Sequence, residues 1–510
     1  MLKFRVFESG KPPANFPLRN AYLLGSNGNA IRSDIRYEDG LILCENRESG
    51  TTALAIQHPV GDCGELTIQT CLLPARDEPY QLTLELARHQ LRLMYVKLED
   101  WGMFDLGADA PVMKRLDTAR SLFVEALCRQ HDDPKASDKI AQECLIASVD
   151  GSEELALAHS RLMLSKRRSN GDRPKCTIGC GIDIRHTSDR IRSGLTSVFD
   201  YIYLPMSWRT LEPEENEYHW SALDSWIEWA SRAHLAVVAG PIIRFEPQSL
   251  PHWLYIWEHD FDTVRDLIYE HVETVVKRYA KKISTWNIVS GLNVNNHFTF
   301  SFDQIMDLTR MTTALVKNQD DSAKTLVEIC QPFGEYYGAN VRSIPPLMYS
   351  DLLVQGSINF DGLSIRLMMG QATQGQYTRD LMQISHLLDQ FSAIGKPLML
   401  TASTPSQSLT QPEESSNGDS PPDVNSGFWH KPWSPQVQSH WLEALFQIAL
   451  SKPYVDSVAW GDLVDHADLE LPLAGIVDED MQPKLAFRRL VAFRKGLLGN
   501  SDTQGRKNKQ

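Results

Sequence analysis

Strand-like and helical patterns of apolar and polar residues alternate through the C-terminal part of the chain. In residues 283–293, apolar and polar side chains alternate as far as Asn287. Two apolar residues, Ile288 and Val289, come next, and the Ser290-Gly291 step ends the run. This pattern predicts a short buried strand, and a helical pattern over residues 261–282 precedes it. Eight such strands are predicted, at residues 177–184, 201–204, 236–243, 285–289, 325–330, 360–365, 397–401 and 455–460. Because helical patterns separate them, they predict a (β/α)8 TIM barrel over residues 174–497.

Residues 1–108 have the pattern of an all-β module. Short apolar runs at residues 21–25, 40–44, 52–56, 65–69 and 82–86 alternate with turn-forming clusters that contain Asn, Asp and Gly. Regular short strands of this kind predict a β-sandwich-like domain. Two roles fit such a domain, carbohydrate binding and structural packing on the barrel. The second is favoured, because no aromatic platform is evident in this segment.

Helical patterns occupy residues 109–173, which we expect to bridge the two larger units. Leu116, Ala119, Phe123 and Ala126 recur there at helical spacing. Residues 403–435, after the seventh predicted strand, form a long insertion rich in Ser, Pro, Asn and Gln. We expect either a mobile lid or a disordered loop there, and the composition favours disorder. Residues 498–510 are polar and are predicted to form a disordered tail.

The composition restricts the kinds of partner. The 510 residues carry a formal net charge of −14, which argues against nucleic acid or an anionic membrane as the main partner. No apolar run approaches the ~18 residues that a membrane span needs, and no secretion signal is visible. We therefore expect a soluble, cytoplasmic protein. No Cys and His cluster has metal-site spacing and no nucleotide fingerprint follows the first barrel strand, so no metal and no cofactor are predicted.

Several segments at the predicted strand ends carry recognisable motifs. They are Met206-Ser207-Trp208-Arg209-Thr210-Leu211-Glu212-Pro213, Arg244-Phe245-Glu246-Pro247-Gln248, Trp286-Asn287-Ile288-Val289, Asp361-Gly362-Leu363-Ser364-Ile365-Arg366, and Trp460-Gly461 with Asp465. In this order and spacing they resemble glycoside hydrolase family 10, the retaining β-1,4-xylanase barrels. The resemblance covers about residues 175–497, and it implies the same (β/α)8 fold.

The resemblance implies a mechanism that uses two glutamates, at the ends of the fourth and seventh strands. One protonates the leaving oxygen and the other attacks the anomeric carbon, with carboxyl groups ~5–5.5 Å apart. In this chain the acid/base position falls on Gly291 and the nucleophile position on Ala402. Neither side chain can transfer a proton or form a glycosyl ester. The chemistry of the family is therefore predicted to be absent.

Other carboxyl groups near the barrel mouth are candidate substitutes. Glu246 follows the third strand and Glu335 the fifth, so both are expected at the C-terminal face, where barrel sites are built. Loop carboxylates or structural ion pairs are the alternative interpretation. Glu328 lies inside the fifth strand, and a charge pointing into the barrel there would need Arg244 or Arg366 as its partner. The predicted substrate-binding residues are Trp208, Gln248, Trp286, Asn287, Arg366, Trp460 and Asp465.

Two functional hypotheses follow. The first is a family 10-like protein of carbohydrate metabolism of the β-1,4-xylan type, in which enzyme activity is uncertain because of Gly291 and Ala402. The second is a non-catalytic protein that binds a polysaccharide, an oligosaccharide or a protein partner through the barrel cleft. The residues at the two positions favour a protein that has lost turnover, while the resemblance remains the best short description of the chain.

Overall fold

The chain begins with two sheets of short strands in the computed structural model, which describes residues 1–8, 10–46, 50–169, 177–185, 189–409 and 425–498. The strands are β1 (Leu2–Arg5), β2 (Tyr22–Leu24), β3 (Ala30–Ile31), β4 (Ser33–Glu38), β5 (Leu41–Asn46), β6 (Ala53–Pro59), β7 (Gly64–Gln69) and β8 (Tyr80–Gln81). One sheet has the order β4-β5-β1-β8, and β7, β6, β2 and β3 are neighbours in the other. An N-terminal β domain is therefore present.

Three helices follow the β domain and lie between it and the barrel in the chain. They are α1 (Leu82–Asp100), α2 (Pro111–Arg129) and α3 (Pro134–Ser169). The predicted strand at residues 82–86 is wrong, because these residues begin α1. Every residue from Leu82 to Ala87 is buried, and a helix that is covered all round shows no 3.6-residue period. The alternation of leucines with other residues there therefore imitated a strand.

Eight parallel strands close into a barrel, as the sequence predicts. They are β9 (Thr177–Gly181), β10 (Tyr201–Leu204), β11 (Ala236–Ala239), β13 (Thr285–Ser290), β14 (Lys324–Ile329), β15 (Gly362–Met368), β16 (Leu398–Ser403) and β18 (Val455–Trp460). The sheet is closed because β18 pairs with β9 and β11 pairs with β13. The predicted third strand is split at the Gly240-Pro241 step, and its end is the short β12 (Ile243–Arg244), which pairs with the end of β13.

Helices follow the strands of the barrel along the chain. They are α4 (Asp189–Val198), α5 (Trp208–Leu211), α6 (Ser221–Arg232), α7 (Phe261–Tyr279), α8 (Phe302–Gln319), α9 (Pro346–Gln355), α10 (Leu381–Ser392), α11 (Pro435–Ser451) and α12 (Leu485–Leu498). Capping side chains mark the N-termini of some of these helices. Ser301 and Gln304 form a capping box at α8, and Asp260 caps α7. Among the described residues, no helix combines the length and hydrophobicity of a membrane span.

The inside of the barrel is filled below its C-terminal mouth. Its inward-facing side chains form a separate buried cluster of Tyr201, Tyr203, Val238, Leu326, Met399 and Ala459. Larger side chains, such as Trp286 and Trp460, belong to the main hydrophobic core. Any site in the barrel must therefore lie above this cluster, at the C-terminal ends of the strands.

The insertion after the seventh barrel strand connects the barrel with the N-terminal β domain. Its described end contains β17 (Phe428–Trp429), which pairs antiparallel with β7 of the N-terminal domain. The remainder of the predicted disordered insertion, residues 410–424, lies outside the described residues, as does the tail from residue 499. The domain limits at residues 108, 173 and 497 stay predictions.

Candidate functional site

A cavity of about 610 Å³ opens at the C-terminal mouth of the barrel. Its lining comes from strand ends and from the connections that follow them. Arg244 ends β12, Arg366 lies near the end of β15, and Thr401 and Ser403 lie at the end of β16. The connection after β18 adds further charged side chains. This volume is in the range of small-molecule and oligosaccharide sites.

Glu328 forms the floor of this cavity. Its side chain is fully buried and accepts hydrogen bonds from Asn287 Nδ2 at 2.7 Å, Ser290 Oγ at 2.8 Å and the Tyr203 hydroxyl at 3.1 Å. Arg244 Nη2 lies 3.5 Å from its Oε1, so the predicted need for an arginine partner is confirmed. Burial, and then the Glu328 carboxylate, raise the pKa of Tyr203 well above its ordinary value. Tyr203 therefore stays a hydrogen-bond donor.

Two arginines and two further glutamates lie directly above this floor. Arg366 Nη1 contacts Glu246 Oε1 at 2.6 Å, and its Nη2 contacts Glu470 Oε2. Arg244 Nη1 lies 3.7 Å from both Glu246 and Glu470. We call these two arginines, with Glu246, Glu328 and Glu470, the mouth cluster. Burial pushes the pKa of Glu246 upward, but Arg366 and Arg244 outweigh burial and hold that pKa below its usual value. Glu246 is therefore an ionised acceptor, not a proton donor.

A second group of acidic side chains lines another side of the mouth. Asp462 accepts a hydrogen bond from Ser403 Oγ at 3.2 Å, and burial raises its pKa. Asp183 lies 3.1 Å from His466 Nε2 and also pairs with Arg185. For Asp183, burial opposes ionisation but the bonds from Arg185 prevail, so its pKa is lowered.

Sequence reasoning missed two acidic residues that follow β18, Asp462 and Glu470. A signal existed for Asp462, which comes two residues after the end of the last strand. Glu470 gave no such signal, because it lies ten residues beyond Trp460 in a connection without regular structure.

The end of the fourth strand holds no carboxyl group. Gly291 has φ +85°, and a Cβ on it would lie 3.1 Å from the carbonyl oxygen of Phe245. A longer side chain at this position would be strained in the present backbone. The missing side chain leaves a small cavity of about 70 Å³, which Glu246, His297 and Cys330 also line.

The end of the seventh strand has no carboxyl group facing the cavity either. Thr401 and Ser403 line the cavity, and successive side chains on a strand alternate between its two faces. Ala402 belongs to the main hydrophobic core and is buried. The inward positions on either side of Ala402 are therefore hydroxyl residues.

The structure separates the two candidate substitutes. Glu246 lines the mouth, whereas Glu335 does not line the cavity. Glu335 is buried and pairs with Arg379, and it accepts hydrogen bonds from Gly375 N at 2.9 Å and from Asn20 Nδ2 at 3.3 Å. Asn20 belongs to the N-terminal domain. No ion pair or hydrogen bond joins Glu335 to Glu246 among the described residues.

The predicted substrate-binding residues divide into two groups. Gln248 and Arg366 line the cavity, and Asn287 supports its floor through Glu328. The others lie outside the cavity lining. They are Trp208, which donates to Glu212 Oε2 at 2.7 Å; Trp286, which is fully buried; Trp460, which donates to the Ala474 carbonyl at 2.8 Å; and Asp465, which pairs with Lys484.

Comparisons with known proteins match part of the chain. Residues 176–305 match the family model described as Glycosyl hydrolase family 10. Endo-1,4-beta-xylanase A of Xylanibacter ruminicola is 28% identical over 95 residues, which are 18% of this chain and 25% of that protein. Endo-1,4-beta-xylanase 3 of Hypocrea jecorina is 31% identical over 87 residues, which are 17% of this chain and 24% of that protein. Each match spans about a quarter of the curated relative.

Solved structures match a longer stretch of the chain. Xylanase B from Clostridium stercorarium F9 covers 62% of this chain and 96% of its own, at 15% identity and a TM-score of 0.47. Native xylanase 10B from Thermotoga maritima covers 64% of this chain and 97% of its own, at 16% identity and a TM-score of 0.46.

Proposed function

We propose that this chain is a divergent relative of glycosyl hydrolase family 10 that acts in carbohydrate metabolism of the β-1,4-xylan type. In this proposal the barrel mouth binds an oligosaccharide or polysaccharide, and the retaining mechanism of the family is lost. The match of residues 176–305 to the family model and the partial likeness to endo-1,4-beta-xylanases support the carbohydrate class.

One observation carries the loss of the mechanism. A retaining glycosidase requires two carboxyl groups ~5–5.5 Å apart across the glycosidic bond. The resemblance puts these carboxyl groups at the ends of the fourth and seventh strands. The fourth strand ends in Ser290 and Gly291, and the seventh in Thr401, Ala402 and Ser403. None of these side chains can act as a general acid near neutral pH or form the glycosyl ester.

The carboxylates that do lie at the mouth are poor replacements. A general acid needs a raised pKa, as a carboxyl group has in an apolar pocket. Glu246 has a lowered pKa, because Arg366 and Arg244 stabilise its ionised form against the effect of burial. Burial, and to a lesser extent the nearby Asp183, raise the pKa of Asp462, but the carboxylate of Asp183 is paired with Arg185 and His466 and is therefore a weak nucleophile.

The mouth keeps the features of a binding site. The cavity of about 610 Å³ is lined by polar side chains that can bond sugar hydroxyl groups, among them Ser207, Gln248 and Thr401. Arg209 also lines it and is exposed. A cavity of this kind can hold a ligand without any bond-breaking step.

Parallel assays of hydrolysis and binding test the proposal. Reducing ends released from xylan and from aryl β-xylosides should match a buffer blank, and calorimetry with xylo-oligosaccharides should show saturable binding. If hydrolysis exceeds the blank, the claim of a lost mechanism is wrong, and Glu246→Gln and Glu335→Gln then show whether either carboxylate carries it. If no glycan of a broad panel binds, the carbohydrate proposal fails and the barrel cleft is left to a protein partner.

A further inference from the structure

One member of the mouth cluster differs from the others in how the chain holds it. Arg244, Arg366 and Glu328 lie in strands, and Glu246 follows β12 by two residues. Glu470 lies in residues 461–484, a connection between β18 and α12 that forms no helix or strand. It is thus the member of the cluster that lies farthest along the chain from a barrel strand.

Glu470 also differs from Glu328 in its burial and in its contacts. Glu328 is fully buried and accepts hydrogen bonds from at least three neighbours. Glu470 has 28% of its side chain exposed, and within the described part of the chain its carboxylate contacts two arginine side chains, Arg366 and Arg244. A partly exposed carboxylate that is held by arginine side chains alone can be exchanged for another carboxylate, because the arginines then keep the same kind of partner.

The charges of the cluster balance without Glu470. Arg244 and Arg366 carry two positive charges, and Glu246 and Glu328 carry two negative charges. Glu470 adds a third negative charge beside the open cavity. A carboxylate from a ligand that takes the place of Glu470 would restore the same set of charges and the same guanidinium contacts.

We propose that the mouth binds a sugar that carries a carboxylate, a hexuronic acid residue, and that Glu470 occupies the place of this carboxylate when no ligand is bound. The inference rests on the proposed function and specifies its ligand. The ligand carboxylate contacts Arg366 Nη2 and Arg244 Nη1 in exchange for Glu470, while Arg366 Nη1 keeps Glu246. Arg209, an exposed cation of the cavity lining for which no ion pair with a described residue is found, lies where it can attract an acidic ligand.

The test compares two ligands that differ in one group. The first is a xylo-oligosaccharide with one glucuronic acid substituent, and the second is the same oligosaccharide with the carboxyl group reduced to a primary alcohol. Calorimetry on the full chain should show tighter binding of the acidic ligand. Glu470→Gln should strengthen its binding by ~10-fold, since the arginines are then no longer occupied by a competing carboxylate. Binding of the reduced ligand should change by less than ~2-fold.

Two further variants make the result specific. Glu479→Gln removes an equal charge from an exposed position of the same connection and should leave both affinities unchanged. Arg366→Lys keeps the charge but removes the second donor nitrogen, and it should weaken the acidic ligand selectively, with thermal unfolding as the check of folding. Equal binding of both ligands by the wild type and by Glu470→Gln would overturn this inference and leave the proposed function standing. Binding of neither ligand by any variant would overturn both.

Discussion

Two clusters of this protein each contain a largely buried arginine–glutamate pair, but they lie in different settings. The mouth cluster faces a cavity. The other cluster, which we call the junction cluster, contains Glu335, Arg379, Tyr22 and Asn20 and lies where the barrel meets the N-terminal domain. The side chains of Arg379 and Glu335 are 3% and 2% exposed, against 10% and 23% for Arg366 and Glu246.

The comparison shows that burial and charge pairing do not by themselves identify a site. In the junction cluster both members of the ion pair are almost completely buried, and Asn20 and Tyr22 of the N-terminal domain bond to them, so the pair fixes how the domains join. In the mouth cluster the arginines face open volume, and one glutamate comes from an irregular connection. We infer that Glu335 is structural, and that any ligand chemistry belongs to the mouth.

The largest expected effect on stability is that of Glu335→Gln. The substitution keeps the shape of the side chain but leaves Arg379 as a buried charge without a carboxylate. Tyr22 and Gln383 still accept its hydrogen bonds, at 2.8 Å and 3.0 Å. Removing one partner of a buried pair lowers the free energy of unfolding by ~3–5 kcal/mol, which urea denaturation will measure.

An exposed ion pair is the control for this prediction. Glu125→Gln breaks the pair of Glu125 with Arg129 on α2, where both side chains are about half exposed. Such pairs contribute ~0.3–0.5 kcal/mol. A loss for Glu335→Gln no larger than that of Glu125→Gln would contradict the structural role of the junction cluster.

A second prediction concerns the pH dependence of the same junction. Asp380 caps α10, and burial, followed by the nearby Glu153, raises its pKa from 3.8 to about 6. Between these two values the folded protein holds a proton that the unfolded chain has released, so stability falls as the pH rises through this window. Above pH 6 the ionised carboxylate lowers stability by a constant amount.

Asp380→Asn removes this contribution, because an amide does not ionise. The loss of the bond from Gln383 Nε2 subtracts from the gain, so we expect the variant to be ~1–2 kcal/mol more stable than the wild type at pH 7. The difference should shrink as the pH falls from about 6 to 4. Urea midpoints between pH 4 and pH 7 measure it, and a wild-type slope that the variant retains would show that another group is responsible.

The sequence was sufficient to predict the barrel but not the side-chain contacts at its mouth. Each strand and helix of the barrel is specified by its own pattern of apolar residues, which is local information. The partner of Glu328 was also predictable, because a charge inside a strand that points inward requires a counter-ion from a neighbouring strand end, and Arg244 is one.

The errors come from contacts that are distant in the sequence or that depend on packing. Arg379 bonds Tyr22 across 357 positions, so no local pattern could show that Glu335 lies at a domain junction. Trp286 and Trp460 resembled sugar-stacking residues, but large aromatic side chains at such strands also fill the core, and both are fully buried. Glu470 came from an irregular connection, whose path a sequence pattern does not specify.

The third prediction applies the glutamate-to-glutamine change to the mouth cluster. Glu246→Gln removes one carboxylate from Arg366 and Arg244, but Glu470 remains in contact with both. The Glu246 side chain is 23% exposed, so solvent also screens the remaining charges. We expect a loss of ~1 kcal/mol in the free energy of unfolding, less than a third of the loss at the junction. A loss as large as that of Glu335→Gln would remove the distinction between the two clusters.

Glu470→Gln should have the smallest effect on stability. The remaining four charges of the mouth cluster balance, the side chain is 28% exposed, and the connection that carries it contributes no strand to the barrel. The free energy of unfolding should therefore change by less than ~0.5 kcal/mol. The same urea denaturation series will measure it beside Glu246→Gln. A loss above ~2 kcal/mol would mean that Glu470 is a fixed counter-ion of the two arginines, in which case no ligand could displace it. A negligible loss is the condition under which a carboxylate from a ligand can take its place.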